Sequence, residues 1–323
     1  MTQVASLQIA PAPSQRHGEL TIFPLVSLES VELPYRLLED AISDGSVEIG
    51  EVDEAGSVPE LLATNLGAEA VLLLDGEQLL GAKQNRMASR SLLLPGETAT
   101  RIPVSCIEHG RWRYTHRGFR PSDKHSPSRT RKSVRSLEAR LAKQGIAAEP
   151  RELQAAQADV WDDVASYSRR LGVRSRTGAL DELYDVVGPK LEGWVPRFPP
   201  VEGQVGLVAF DRDRLLGSDV VGGRGLYARL HGRLLRGYML DALELREVRA
   251  RSGEDAPEAE GVAMPDESRV LRFLAEVAKA ERTETPTAGG GIYRVLSGAV
   301  VGGELVDEDR LAHRSAFAAD PRE

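Results

Sequence analysis

Residues 71–135 run VLLLDGEQLLGAKQNRMASRSLLLPGETATRIPVSCIEHGRWRYTHRGFRPSDKHSPSRTRKSVR and join a hydrophobic β-type core to the densest charge cluster in the chain. Two apolar runs, Val71–Leu74 and Leu92–Leu94, flank the polar strip Gly81-Ala82-Lys83-Gln84-Asn85-Arg86. Asp75-Gly76 has the residues of a two-residue hairpin turn and predicts that Leu72–Leu74 pairs with Gln78–Leu80. Pro95-Gly96 predicts a turn before a strand over Thr98–Ile107. Working outward, strands are expected at Leu20–Val26, Val47–Val52 and Pro59–Asn65, with a short helix over Tyr35–Ile42. Residues 17–115 therefore read as a β-rich region at sandwich or barrel spacing.

Nine Lys or Arg and one acid, Asp123, fall within residues 111–135, a local net of +8, while the whole chain carries 41 basic and 49 acidic residues. The remainder thus holds 32 cations against 48 acids, and any anion site must be focal. Pro121, Pro127 and Gly118 predict a mobile basic loop over residues 116–132, and residues 1–16 read as a disordered leader. Beyond 133, helices are expected at Val134–Lys143, Pro150–Leu171, Gly178–Val187, Gly225–Val248 and Val270–Lys279. A hairpin pairs Val205–Phe210 with Leu215–Val220, residues 250–266 read as a linker, and Tyr293–Phe317 as a terminal β-meander. The expected fold is α+β, the β-rich part packed against residues 133–323 in one body.

At 41% hydrophobic and 28% charged residues the chain has the composition of an ordinary globular protein. One cysteine, Cys106, excludes an internal disulfide and any cysteine-cluster zinc site. The six histidines are scattered without metal-ligand spacing, so no metal is expected and no cofactor is indicated. No signal peptide or membrane span is read from the sequence, which points to a cytoplasmic protein.

The string GEQLLGAKQNR followed by LLLPGETATRIPVSCIEHGRW resembles the ARG and Rhodanese-Phosphatase-superfamily-associated protein domain family. The resemblance continues through GQVGLVAF, LLRGYMLDAL and HRSAF, covering most of residues 17–317. Lys83, Gln84, Asn85, Arg86, Ser105, Cys106, Glu108, Arg111 and Trp112 carry it. It implies a role beside ADP-ribosylglycohydrolases and rhodanese or phosphatase-like proteins in NAD or ADP-ribose metabolism, with such enzymes as partners. It brings no catalytic residue with it.

The candidate ligand-binding residues are Lys83, Gln84, Asn85, Arg86, Glu108, His109, Arg111 and Trp112. Arginine grips phosphate bidentately, and an indole stacks on a base. The blander alternative is a solvated hairpin end, with Trp112 a rim aromatic and His109 a surface residue. Cys106 lies three residues before His109, as a nucleophile pair would, yet it alternates with Val104 and reads as a buried strand residue. Gly222–Gly225 and Gly289–Gly291 read as tight turns. Three functions compete: binding or processing of a phosphate-bearing nucleotide or ADP-ribose-type molecule, nucleic-acid binding through residues 111–135, and a scaffold whose basic loop docks on a partner or a second copy. The sequence leaves open whether the protein is an enzyme.

Overall fold

The structure is a computed structural model and describes residues 7–29, 32–53, 57–253, 264–285 and 287–320. Ile9–Pro11 (β1) and Gln15–His17 (β2) precede Leu20–Ser27 (β3), Arg36–Leu37 (β4) and the short helix Leu38–Ser43 (α1). Val47–Glu51 (β5), Glu60–Asn65 (β6), Val71–Leu73 (β7), Glu77–Gly81 (β8), Arg86–Ala88 (β9), Leu92–Leu94 (β10), Thr98–Cys106 (β11) and Phe119–His125 (β12) follow. The helical stretch holds Ser128–Lys143 (α2), Pro150–Leu153 (α3), Gln157–Leu171 (α4) and Leu180–Glu192 (α5). Gln204–Asp211 (β13) and Arg214–Val221 (β14) lead to Arg224–Ser252 (α6) and Glu267–Lys279 (α7). Glu281–Thr285 (β15), Ile292–Ser297 (β16), Val300–Asp307 (β17) and Arg310–Ala318 (β18) close the chain's described part.

The fold is α+β, and its largest sheet is antiparallel, in the order β1-β3-β13-β14-β18-β17-β16-β15 with β2 beside β3. Strands from both ends of the chain therefore share one sheet, and the C-terminal meander joins it through Ser218↔Ala316. A six-stranded sheet runs β12-β8-β9-β11-β6-β5, and a small one β10-β7-β4. Helix α6 buries Tyr227, Leu230, Leu234 and Tyr238, the spacing of three and four that gives a helix an apolar stripe. Helix α7 starts where Asp266 accepts the Arg269 N–H, the capping geometry that satisfies a free first-turn donor. Its Val270, Phe273 and Val277 then cover Phe23 and Phe210 of the large sheet.

Several expectations change. Asp75-Gly76 does turn, with Gly76 at φ +82, but β7 and β8 do not form the predicted hairpin. Strand β7 pairs with β10 and β4, whereas β8 pairs with β9 and β12. Both strands are buried on both faces, so no alternation fixes their mutual register, and the Asp75 carboxylate turns inward to Arg131 and Ser315 instead of toward solvent.

The segment 116–132 is not a loop: it contains β12 and the first turn of α2. Pro121 is accommodated because β12 lies at the end of its sheet, where a missing N–H costs no ladder bond. Pro127 stands immediately before the first turn of α2. In the leader, residues 9–11 and 15–17 are strands, and residues 1–6 lie outside the described residues. Of the linker expected at 250–266, residues 254–263 also lie outside them. Among the described residues no helix is long and apolar enough to cross a membrane.

Candidate functional site

The motif strands meet because β9 runs antiparallel to β11, with Arg86 opposite Cys106. Pairing continues past the strand ends: Ile107 N–H reaches Asn85 O at 3.1 Å, and Arg113 N–H reaches Lys83 O at 3.2 Å. Gly81 makes the bend that starts this strip, at φ +137, and a Cβ there would stand 2.5 Å from Gly118 O. Only glycine fits that position. Lys83, Gln84, Asn85, Arg86, Glu108, Arg111 and Trp112 are thereby brought together. His109 is not, since its ring packs on Trp161 with centroids 4.4 Å apart.

The two arginines play different parts. Arg111 is fully committed: its Nε and Nη2 donate to the two Glu108 oxygens at 2.9 and 2.7 Å, and Nη2 also to Asn85 Oδ1 at 3.0 Å. Its Nη1 donates to Ala82 O at 2.6 Å, and Glu108 accepts the Asn85 N–H at 2.9 Å. Burial pushes the Glu108 carboxyl up, but the bonds from Arg111 and Asn85 outweigh it and leave it below the ordinary value. Arg111, Glu108 and Asn85 form a clasp tying residues 81–86 to 108–115. Glu77, also in the motif, takes no part in the clasp and holds Arg233 at 2.6 Å.

Arg86 is different. It is 0% exposed, and among the described residues only Nη1 has a partner, Gln84, through Oε1 at 2.7 Å and O at 3.4 Å. Nε and Nη2 are buried without a hydrogen-bond partner among the described residues. These are the two nitrogens whose N–H bonds leave one edge of a guanidinium in parallel, the fork that takes an oxyanion bidentately. Trp112 lies over Arg86 with Cζ 5.5 Å from the ring centroid, and Lys83 Nζ is 5.6 Å from the same ring and 5.2 Å from that of Tyr114. Both rings are about half exposed, Trp112 at 50% and Tyr114 at 48%. The Cys106 thiol sits beside Arg86, yet burial pushes it up to about 11, which keeps it a neutral thiol and a poor nucleophile at neutral pH. Gln157 brackets the Cys106 backbone, accepting its N–H at 2.7 Å and donating to its O at 2.8 Å.

Sequence reasoning missed a second polar cluster, deeper in the molecule. Arg131 on α2 donates to both Asp219 oxygens at 2.9 and 2.6 Å and to Asp75 at 2.9 Å. His313 Nε2 lies 3.2 Å from Asp219 and its Nδ1 2.7 Å from Ser91 Oγ, while Tyr238 donates to Asp219 at 2.6 Å and Ser315 to Asp75 at 2.9 Å. Burial raises both carboxyls, but Arg131 and His313 prevail and hold Asp75 below and Asp219 well below the ordinary range. Asp75, Asp219 and His313 place potential metal-ligand atoms within 4.8 Å of one another. The Arg131 guanidinium already supplies the positive charge those carboxylates need. The chain Ser91–His313–Asp219 has the order of a nucleophilic triad, but all three residues are at most 2% exposed and the Ser91 hydroxyl is further tied to the Asp75 N–H. The cluster is an internal cross-link joining β14, β18, α2 and the β7–β8 turn. Its partners stand up to 240 positions apart in sequence, and no spacing announces it.

The family model for the ARG and Rhodanese-Phosphatase-superfamily-associated Protein domain, ARPP-1, matches residues 8–317. The chain belongs to the ARPP-1 family. The match includes both the Arg86 site and the buried cluster, and the family's description ties its members by name to ARG and rhodanese-phosphatase-superfamily proteins. No curated protein and no solved structure matches the chain.

Proposed function

We propose that this ARPP-1 protein binds a phosphate-bearing small molecule of the nucleotide or ADP-ribose class, with one phosphate seated in the Arg86 fork. The observation that carries the reading is the pair of unpartnered Arg86 nitrogens, Nε and Nη2, on a fully buried side chain. A buried guanidinium with no acid partner is costly, and an oxyanion ligand removes that cost. Lys83 adds a second positive charge next to the half-exposed Trp112 and Tyr114 rings. A base on such a ring gains roughly 1–3 kcal/mol. The family's named association with ARG proteins makes ADP-ribose the first ligand to try.

The test is a thermal-shift and calorimetric series with ADP-ribose, NAD, AMP and ribose 5-phosphate. Saturable binding should raise the melting temperature, a ligand at 100 times its Kd adding about 2.7 kcal/mol. Arg86→Gln should abolish the shift while leaving the unliganded protein as stable as before or more so. If Arg86→Gln melts lower and binds every one of these ligands unchanged, the assignment fails.

One observation favours a second reading, a single-stranded nucleic-acid interface. Trp112, Arg113, Tyr114, His116, Arg117 and Arg120 are all exposed, and alternating aromatic and cationic side chains suit stacking on unpaired bases. Oligonucleotide binding that weakens steeply with salt would support it over the small-molecule reading.

A further inference from the structure

Helix α2 turns a second face toward a hollow of about 580 Å³ walled by α6, the β13–β14 hairpin and the end of β18. Arg129, Lys132, Ser133, Ser136 and Arg140 line it, spaced by three and four so that they share one stripe. A stripe that merely packed against neighbours would be apolar. Leu215, Leu216, Leu245 and Phe317 give the hollow an apolar part, beside the polar Asp213, Arg214, Asp241 and Glu244. The volume lies within the range of small-molecule sites.

Most charges here are committed. Glu244 receives Arg129 at 3.1 Å and Arg170 at 2.7 Å, Asp320 receives Lys132 at 2.5 Å, and Arg269 stands 3.6 Å from Asp213. Asp241 is held by Tyr167 and by the Ser128 N–H. Arg140 and Arg214 also line the hollow, and no ion pair joins either to an acid among the described residues. The exposed Asp159 on α4 opposes them. Ser136 adds a second observation: it also lines the hollow and is 7% exposed, and among the described residues its buried Oγ has no hydrogen-bond partner. A buried hydroxyl left unpaired costs free energy that a bound acceptor recovers.

We propose that this hollow is a second ligand site, distinct from Arg86, for a small amphipathic anion. Its oxyanion head, a phosphate or carboxylate, is held by Arg140, Arg214 and the Ser136 hydroxyl, and its apolar body lies against Leu215, Leu245 and Phe317. The uncommitted groups carry two cations against one acid, which suits a head of low charge better than a polyphosphate.

Hydrogen–deuterium exchange on the full chain with phenyl phosphate, and separately with benzoate, tests this. Saturable protection within residues 128–140 and 211–217 is expected from at least one probe, and which one acts defines the head group. The double variant Arg140→Gln/Arg214→Gln should keep its melting temperature and bind roughly tenfold or more weakly, the cost of losing charge-assisted hydrogen bonds. Ser136→Ala should weaken binding severalfold, and Arg86→Gln should leave it unchanged. No protection of these segments by either probe, wild-type affinity in the double variant, or loss of the protection in Arg86→Gln would each overturn the proposal. Because Arg86→Gln separates the two sites, failure here leaves the Arg86 reading standing, and the reverse holds.

Discussion

Replacing Arg131 by Met tests the claim that the deep cluster is a cross-link. Arg131 is 2% exposed and makes three bonds of 2.6–2.9 Å to two carboxylates that are themselves buried. Methionine keeps much of the side-chain volume but abandons both charges. Breaking one buried pair costs about 3–5 kcal/mol. Two acids are orphaned here, but Tyr238 and His313 still contact Asp219, and Ser315 still donates to Asp75, so a loss of about 4 kcal/mol at pH 7 is expected. That is a large share of a typical stability of roughly 5–15 kcal/mol.

The pH dependence gives the sharper signature. In the wild type Asp75 and Asp219 are held below their unfolded values. Their contribution is therefore present above the ordinary aspartate pKa of about 3.9 and is lost as pH falls through the folded values. Without Arg131, burial dominates and raises them, so the sign reverses: the variant's deficit should shrink on acidification from pH 7 to 5. Urea unfolding followed by tryptophan fluorescence and circular dichroism at both pH values measures it. Adding Asp219→Asn to Arg131→Met should recover part of the loss at pH 7. A variant within about 1 kcal/mol of wild type at pH 7, well short of a broken buried pair, or a deficit that grows on acidification, would refute the cross-link account.

Arg111→Gln should destabilise the unliganded protein by about 3 kcal/mol, because Glu108 loses its cation inside the clasp, while Arg86→Gln should not; equal melting of the two variants would contradict the division of roles. Cys106→Ser should lower stability modestly and leave ligand binding within a few fold, and complete loss of function in a folded variant would restore the thiolate mechanism. His125 is 0% exposed, its ring nitrogens have no hydrogen-bond partner among the described residues, and burial lowers it to about 3. The unfolded chain thus binds a proton from about pH 6.5 downward that the folded one refuses, costing about 1.4 kcal/mol per pH unit. His125→Leu should remove that acid sensitivity between pH 6 and 4, as urea midpoints across the range will show. Limited proteolysis should cut within residues 112–118, exposed and outside strands and helices, before β12 or α2, leaving the fragments associated; first cuts inside residues 119–132 would count against the strand and helix there.

What the sequence disclosed depended on how far apart the partners lie. Lys83–Arg86 and Glu108–Trp112 were recognisable together because β9 and β11 are near neighbours in the chain and pair antiparallel. The β13–β14 hairpin was likewise legible, since two short apolar runs stand close in the chain with only Arg212 and Asp213 between the strands. The Asp75–Gly76 turn was legible as a turn but not as a crossing between sheets. Local residue chemistry fixes a bend, whereas the partner of each strand is decided by burial on both faces. The basic run 111–135 misled for a related reason. Charge normally marks a solvated segment, but Arg131 is buried where Asp75 and Asp219 arrive from elsewhere to meet it, and Arg135 is buried beside Glu138 of the same helix.

The same distinction separates structure from function within the motif itself. Arg111 and Arg86 look interchangeable in the string QNR…HGRW, and sequence alone assigned them one role. Geometry divides them by a single criterion, whether the donors are spent. Every nitrogen of Arg111 meets an acceptor inside the protein, so its removal is felt by the fold. Arg86 spends one nitrogen on Gln84, and its buried Nε and Nη2 are without a partner among the described residues. An unspent edge on a buried cation calls for an explanation, and the ligand proposed above supplies one at Arg86, whereas the heavily bonded Arg111 offers no such edge.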